Sequence, residues 1–247
     1  MSKLKLAIPS KGRLMDLTID WFKRRGVQID SAMSSREYSA YVSGMPQIQV
    51  VLLAANEIPK GLATGRIDLG VTGQDLVREN VPTWNEILFE LEFLNFGKSD
   101  LVLAVPKFWV DVESIDDFDA VAINFRRKNG YRLRIATKYH NLIWSYLRKM
   151  GVADYQLIDS QGATEGTVKN GIAEAIGDIT SSGRTLDANH LKIIGDQPIL
   201  SSQATLYLSG VAPWSAAKYR ILQEFSSKIG IRKWKTSILS NTNFRKF

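Results

Sequence analysis

The sequence predicts an α/β protein with mostly parallel sheets, built as two similar halves. Short apolar runs alternate with stretches of helical period along almost the whole chain, as in strands joined by crossover helices. Ile48–Leu53 reads as a strand of the buried, parallel-sheet sort. An internal echo points to the two halves. ATGRIDLGVTGQD (63–75) and KNGIAEAIGDITSSG (169–183) each run from a helix end through glycine, an acidic residue and an apolar strand to a Thr/Gly turn. Two such lobes would each offer a strand-exit loop to an intervening cleft, a common place for ligands.

In chain order, Lys3–Pro9 is a strand, and Leu14, Leu17, Thr18, Trp21 and Phe22 form a helical stripe that Gly26 ends. Ser10-Lys11-Gly12-Arg13 falls where that strand hands over to the helix. Two cations oppose the helix dipole there and make sense with an anion in place; the plain alternative is a cap with two solvated cations. Asn56–Ala63 reads as a helix and Ile67–Val71 as a strand, left through Thr72-Gly73-Gln74-Asp75. Leu101–Val105 is a strand ended by Pro106, and Val121–Phe125 reads as another. Arg132–Ala136 is a strand whose Thr137 caps the next helix, with Leu142, Ile143, Tyr146, Leu147 and Met150 as its stripe. Trp144 falls off that stripe and is expected to face a neighbouring element or subunit. Tyr155–Ile158 is a strand, and Gly162–Gly166 opens a helix to about Lys169. Leu191–Ile194 and Thr205–Leu208 are strands, and Ser215–Ile229 is a helix.

Composition narrows the chemistry. The 247 residues suffice for one large domain or two lobes, and 45% apolar with 23% charged residues is ordinary for a globular protein. There is no cysteine and there are two histidines, which excludes disulfides and thiolate metal sites and disfavours zinc. The N-terminus lacks the apolar run of a signal peptide and no stretch approaches a membrane span, so a cytoplasmic protein is expected. Residues 211–247 carry eight cations against one carboxylate, which is the whole net charge of +7. The basicity belongs to the tail. With Trp234 and Phe244 such a tail has some plausibility for nucleic acid; a solvated or subunit-contacting segment is the plainer reading, and neither nucleic acid nor membrane is the expected partner.

Ala175–Leu186, AIGDITSSGRTL, runs from a strand into a turn of small residues. A glycine there lets the backbone approach a ligand closely, and clustered N–H groups with hydroxyls bind phosphate. Read alone, it is more often an ordinary Ser/Gly turn. The familiar nucleotide loops, a GxSxG elbow, HExxH and EF-hand loops are all missing. Neither His140 nor His190 lies near a nucleophile signature. What remains is anion recognition, suited to a phosphorylated substrate whose chemistry is mainly charge stabilisation.

These segments, in order, resemble the ATP phosphoribosyltransferase family: LAIPSKGRL (6–14), GRIDLGVTGQDL (65–76), LNFGKSDLVLAVP (94–106), RIATKYHNL (134–142) and GIAEAIGDITSSGRTL (171–186). The last is similar to that family's phosphoribosyl-pyrophosphate loop. The resemblance implies two periplasmic-binding-protein-like lobes, expected as 1–96 plus 188–225 and as 97–187, with 226–247 as a basic tail. It implies magnesium-dependent transfer of a phosphoribosyl group to N1 of ATP, the first step of histidine biosynthesis. It also implies the short form, a homodimer within a hetero-oligomer with a regulatory subunit resembling a histidyl-tRNA synthetase. Two positions depart from the pattern: Ala54 stands where a basic residue is frequent, and Gly97-Lys98-Ser99-Asp100 replaces a Gly-x-Cys-basic segment.

Carried over residue by residue, Thr180, Ser181, Ser182, Gly183, Arg184 and Thr185 would hold the 5-phosphate, and Asp178 the ribose hydroxyls, directly or through Mg²⁺. The Mg²⁺ would arrive largely with pyrophosphate, needing no protein cage. Lys11 and Arg13 would take phosphates of ATP or pyrophosphate. Asp75 and Glu165 would take the adenine or ribose side, or serve only as helix-start carboxylates. No residue is expected as a strong acid or base. The competing reading is a two-lobed anion-binding module without turnover, which fold alone leaves open.

Overall fold

A computed structural model describes residues 3–31, 39–160 and 162–231. The chain divides into two α/β units, one of residues up to Gly97 and from Gln203 onward, the other Lys98–Ser202. The first crossing falls one residue from the expected boundary. The second does not: residues 188–202 stay in the second unit because their two strands pair with that unit's first strand. A boundary at 226 would cut the last helix, and the cationic segment beyond Ile231 lies outside the described residues.

Unit 1 begins with β1 (Leu4–Pro9), α1 (Gly12–Lys23), β2 (Ile29–Ser31), β3 (Ser39–Val42) and β4 (Ile48–Leu53). It continues through α2 (Ile58–Ala63), β5 (Leu69–Gly73), α3 (Gln74–Asn80), α4 (Trp84–Ile87) and β6 (Leu88–Phe93). Unit 2 comprises β7 (Ser99–Pro106), α5 (Ile115–Asn129), β8 (Leu133–Thr137), α6 (His140–Lys149), β9 (Tyr155–Asp159), α7 (Gly166–Lys169), β10 (Ala175–Thr180), α8 (Arg184–Ala188), β11 (Leu191–Ile194) and β12 (Leu200–Ser202). The chain returns to unit 1 with β13 (Ala204–Ser209) and α9 (Ala216–Lys228).

The first sheet has the order β2-β3-β4-β1-β5-β13-β6, and the second β11-β7-β10-β8-β9 with β12 also on β7. Each contains a contiguous parallel block, β4-β1-β5 and β10-β8-β9, as the crossover helices require. Antiparallel strands flank both blocks. The crossings explain β7 and β13, whereas β3 pairs with β4, the next strand in the chain. Asp100, the second residue of β7, lies opposite Thr180, and β13 starts with Ala204 opposite Gly73. Each crossing strand thus enters at the carboxyl end of a parallel strand and runs back along it.

In unit 1, Trp21 and Phe22 of α1 and Phe225 of α9 cover one sheet face, with the Phe22 and Phe225 rings 5.8 Å apart. Ile58, Leu62 and Val77 pack on the other face around Tyr207. Burial and the neighbouring Glu90 carboxylate push the Tyr207 phenol far above its ordinary pKa, and its hydroxyl donates to Glu90 Oε1 at 3.0 Å. In unit 2, Leu186 packs with Val102, Ala104 and Ile176, which anchors α8 below its exposed first turn.

Several elements differ from expectation. Val121–Phe125 is not a strand but the middle of α5. Four apolar residues in five cannot distinguish the two by periodicity; the deciding signal lies upstream, in a capping box. Asp117 N donates to Ser114 Oγ at 3.1 Å, and Asp117 Oδ2 accepts from Ser114 N at 2.9 Å. The Ser114 hydroxyl, then the Ser114 and Glu113 amides, hold the Asp117 carboxyl below its ordinary pKa. Ser114→Ala is expected to lower stability by about 1 kcal/mol. The Asp117 contribution is present above the ordinary carboxylate pKa and is lost as pH falls through the depressed folded value. Thermal melts from pH 7 to pH 2 should therefore show the wild-type advantage over Ser114→Ala shrinking only on the acid side.

Thr137 ends β8 rather than capping α6, and its Oγ1 accepts from Tyr139 N at 2.9 Å. Trp144 is half exposed, with the Arg148 guanidinium 5.1 Å from its ring centre. β2, β3, β6, β12 and α4 are not anticipated from the sequence, being short or broken by polar residues.

Candidate functional site

Because β8, β9 and β10 run parallel, their carboxyl ends share one edge. Thr137 pairs with Gly177 on one side and Asp159 on the other. Three connections leave this edge, at Lys138-Tyr139, after Ser160, and at Ser181-Ser182-Gly183. Ligands of open α/β sheets bind at such edges. The third connection is the predicted phosphate turn. Thr180 Oγ1 accepts from Gly183 N at 2.9 Å, closing the turn on itself. Gly183 has φ +71°, a left-handed conformation that glycine adopts without strain, and a Cβ there would meet nothing within 4 Å. The glycine is therefore required by backbone shape and not by packing.

α8 follows at once, with its first N–H groups lacking intrahelical acceptors. Ser181, Ser182, Arg184 and Thr185 are exposed around it. Asp178 is half buried on β10, its Oδ1 accepting from Ile179 N at 2.8 Å. The residues from Asp178 to Thr185 are thus brought together as expected, with one refinement. The Gly183 N–H is engaged within the turn, so the donors facing outward are the hydroxyls, the Arg184 side chain and the first amides of α8.

One residue earlier, Gly177 serves packing. A Cβ there would lie 2.5 Å from Ile143 Cδ1 and 2.8 Å from Cγ1, so α6 seats directly on β10 beneath the turn. Gly177→Val should displace α6 and destabilise unit 2 by about 1–3 kcal/mol, read in a denaturant melt.

Glu165 reaches the same edge, immediately before α7, and is half buried. Its connection is tied down by Ser160 N donating to Thr137 O at 3.2 Å and by Ser160 Oγ bonding Thr164 Oγ1 at 3.1 Å.

In unit 1 the corresponding edge holds the carboxyl ends of β4, β1 and β5. Ser10 N donates to Leu53 O, and Thr72 Oγ1 to Ala55 O, each at 2.8 Å. Lys11, Gly12 and Arg13 are exposed at the start of α1, which has no side-chain cap and no acidic residue in its first turn. That is an uncapped helix N-terminus flanked by two cations, the arrangement that suits an anion. Asp75 differs: it is buried in the first turn of α3, where a carboxylate favours the helix dipole. Ala54 lies on this edge too and supplies no charge, its N–H donating to Glu57 Oε2 at 3.1 Å. Lys98 is exposed at the start of unit 2.

The family model for ATP phosphoribosyltransferase matches residues 54–229. The chain belongs to this family. The ATP phosphoribosyltransferase of Cereibacter sphaeroides is 58% identical over 214 residues, 87% of this chain and 91% of that protein. Among solved structures, the ATP phosphoribosyl transferase (HisG:HisZ) complex from Thermotoga maritima superposes with a TM-score of 0.69 at 26% identity, covering 92% of this chain and 98% of that one. Holo ArgBP from Thermotoga maritima matches with a TM-score of 0.52 at 12% identity, over 97% of this chain and 95% of that one. This last likeness is one of fold, the two-lobed binding-protein architecture. Family membership favours the phosphoribosyltransferase over the binding module without turnover.

Within this family frame, the edge of unit 2 holds residues that sequence reasoning passed over. Lys138 is one. His140, weighed in the sequence and set aside because it lies near no nucleophile signature, stands here too, its Nε2 3.5 Å from Asp159 Oδ1. The strand-exit rule that singled out Ser181–Gly183 finds both when applied to β8. Among the described residues no three His, Asp or Glu side chains gather into a metal cluster. No described helix is long and apolar enough to cross a membrane.

Proposed function

We infer that this chain transfers the phosphoribosyl group of phosphoribosyl pyrophosphate to N1 of ATP, giving N1-(5-phosphoribosyl)-ATP and pyrophosphate, the first step of histidine biosynthesis. The observation that carries this is the Asp178–Thr185 turn on the carboxyl edge of unit 2, in a chain of the ATP phosphoribosyltransferase family.

The bond from the anomeric carbon to pyrophosphate breaks, its electron pair leaves with the pyrophosphate oxygen, and the N1 lone pair forms the new bond. Because N1 already carries that lone pair, no strong base is needed. The chain's tasks are orientation and stabilisation of the leaving charge. The Ser181, Ser182 and Thr185 hydroxyls, Arg184 and the first amides of α8 hold the 5-phosphate. Gly183 and Thr180 shape the turn from within. Asp178 takes the ribose hydroxyls, directly or through the Mg²⁺ that enters with pyrophosphate; one carboxylate beside substrate oxygens is a donor set that suits Mg²⁺. Lys11 and Arg13 take phosphates of ATP or pyrophosphate, and Glu165 the ribose or adenine side.

The chain works as a short-form catalytic subunit, a homodimer assembled with a synthetase-like regulatory partner, in the cytoplasm where its substrates are made. The matched Thermotoga maritima chain, itself part of a HisG:HisZ complex, supports this reading. The decisive assay mixes the chain, with and without such a partner, with ATP, phosphoribosyl pyrophosphate and Mg²⁺. A product of the mass of phosphoribosyl-ATP is expected, and chelation of Mg²⁺ should abolish it. Tight binding of phosphoribosyl pyrophosphate with no product in either mixture would return the chain to the binding-module reading.

A further inference from the structure

We propose that Lys138 is a substrate-contacting cation of the unit 2 edge that binds the pyrophosphate group of phosphoribosyl pyrophosphate; this rests on the transferase reading above. Lys138 is the first residue beyond β8, and the β8–β10 ladder ends with Thr137 paired to Gly177. One step further, Lys138 leaves the sheet on the same carboxyl edge as the phosphate turn that follows β10, the neighbouring parallel strand about 4.8 Å away.

The side chain is exposed but held. Its Nζ donates to the Gly162 carbonyl oxygen at 2.7 Å, across to the neighbouring connection. Its chain neighbours are buried: Thr137 accepts from the Tyr139 amide through Oγ1 at 2.9 Å, and Tyr139 is only 5% exposed. The connection it reaches is fixed in turn by the Ser160–Thr137 and Ser160–Thr164 bonds. One hydrogen bond thus places the ammonium at this edge.

Its charge is left unneutralised. An ammonium has three donors; here one goes to a neutral carbonyl, and among the described residues no carboxylate pairs with it. An anion arriving at the edge gains a charge-assisted hydrogen bond. Arg184 lies within the turn assigned to the 5-phosphate, and Lys138, on a neighbouring connection of the same edge, is available to the other end of the substrate. As the bond to the anomeric carbon breaks, negative charge grows on the departing pyrophosphate, and a fixed ammonium there favours the transition state over the ground state.

The test compares Lys138→Met, Lys138→Arg and Gly183→Val in the full chain, with inorganic pyrophosphate and ribose 5-phosphate as inhibitors competing with phosphoribosyl pyrophosphate. In Lys138→Met the inhibition constant for pyrophosphate is expected to rise about tenfold or more, as for loss of a hydrogen bond to a charged group. That for ribose 5-phosphate should move by less than about twofold, kcat should fall, and Lys138→Arg should restore most of the pyrophosphate affinity. Equal weakening of both inhibitors would mark Lys138 as a tie between loops and overturn the proposal. So would an unchanged pyrophosphate constant beside a Gly183→Val variant that loses ribose 5-phosphate, an outcome that leaves the transferase site standing. If Gly183→Val also leaves both constants unchanged, the phosphate-turn reading fails with it.

Discussion

Gly183→Val is expected to raise the Michaelis constant for phosphoribosyl pyrophosphate about ten- to a hundredfold while the protein stays folded. At φ +71° the residue is left-handed. An ordinary side chain there costs roughly 1–2 kcal/mol, and a β-branched one more. The turn escapes that strain by swinging φ negative, which pulls the Gly183 amide away from Thr180 Oγ1 and spreads Ser181, Ser182 and the start of α8. Nothing lies within 4 Å of the added Cβ, so the core is not disturbed. The loss should therefore appear in substrate binding far more than in the melting temperature. Gly130→Val, at φ +79° with equally open surroundings, supplies the control: a similar small loss of stability with no change in the Michaelis constant. An unchanged constant in Gly183→Val would remove this turn from the site.

The second large effect is on stability. Asp68 and Lys218 form an ion pair whose side chains are 1% and 8% exposed, Oδ1 to Nζ 2.7 Å. The other carboxylate oxygen accepts from Lys5 N at 2.8 Å, and the Asp68 carbonyl accepts from Ser209 N at 2.9 Å. One side chain thus ties β1 and α9 to the start of β5, and its backbone adds β13. Asp68→Ala leaves a buried ammonium without a partner, which costs about 3–5 kcal/mol. In a protein of this size that is a drop of roughly 10 °C in midpoint. The double change Asp68→Ala with Lys218→Met removes both charges and should recover much of the loss. A cycle of the two single variants and the double reads the coupling directly. A loss below 1 kcal/mol in Asp68→Ala would show that the pair is not holding unit 1 together.

Much of the fold is legible residue by residue. The strand-to-turn handovers at Ser10–Arg13 and Ala175–Leu186 are present as read, because small residues, glycine and hydroxyls impose their turn within a few positions; at Thr72–Asp75 the strand runs through Gly73 straight into α3, with no turn between. The α1 and α6 stripes likewise bury Trp21, Phe22, Ile143 and Leu147. Val121–Phe125 misleads because a short apolar run suits a strand and a helix equally, and only the Ser114–Asp117 cap decides. Asp75 is read as a ligand candidate from its place at a strand exit, but whether that place is open or enclosed depends on packing that the local sequence does not contain.

By itself the sequence determined the class of the fold, the family, and the turn after Thr180 with its glycine, since each of these rests on short-range pattern or local backbone chemistry. Only the tertiary structure decided what depends on pairing between distant segments. It placed β8 beside β10, so that Lys138 and the phosphate turn leave one sheet edge, and set the return crossing at Ser202, where β11 and β12 hold to β7. It joined Lys218 to Asp68 across 150 positions. Ladder register and burial are properties of neighbours in space, and no window of the chain encodes who those neighbours are.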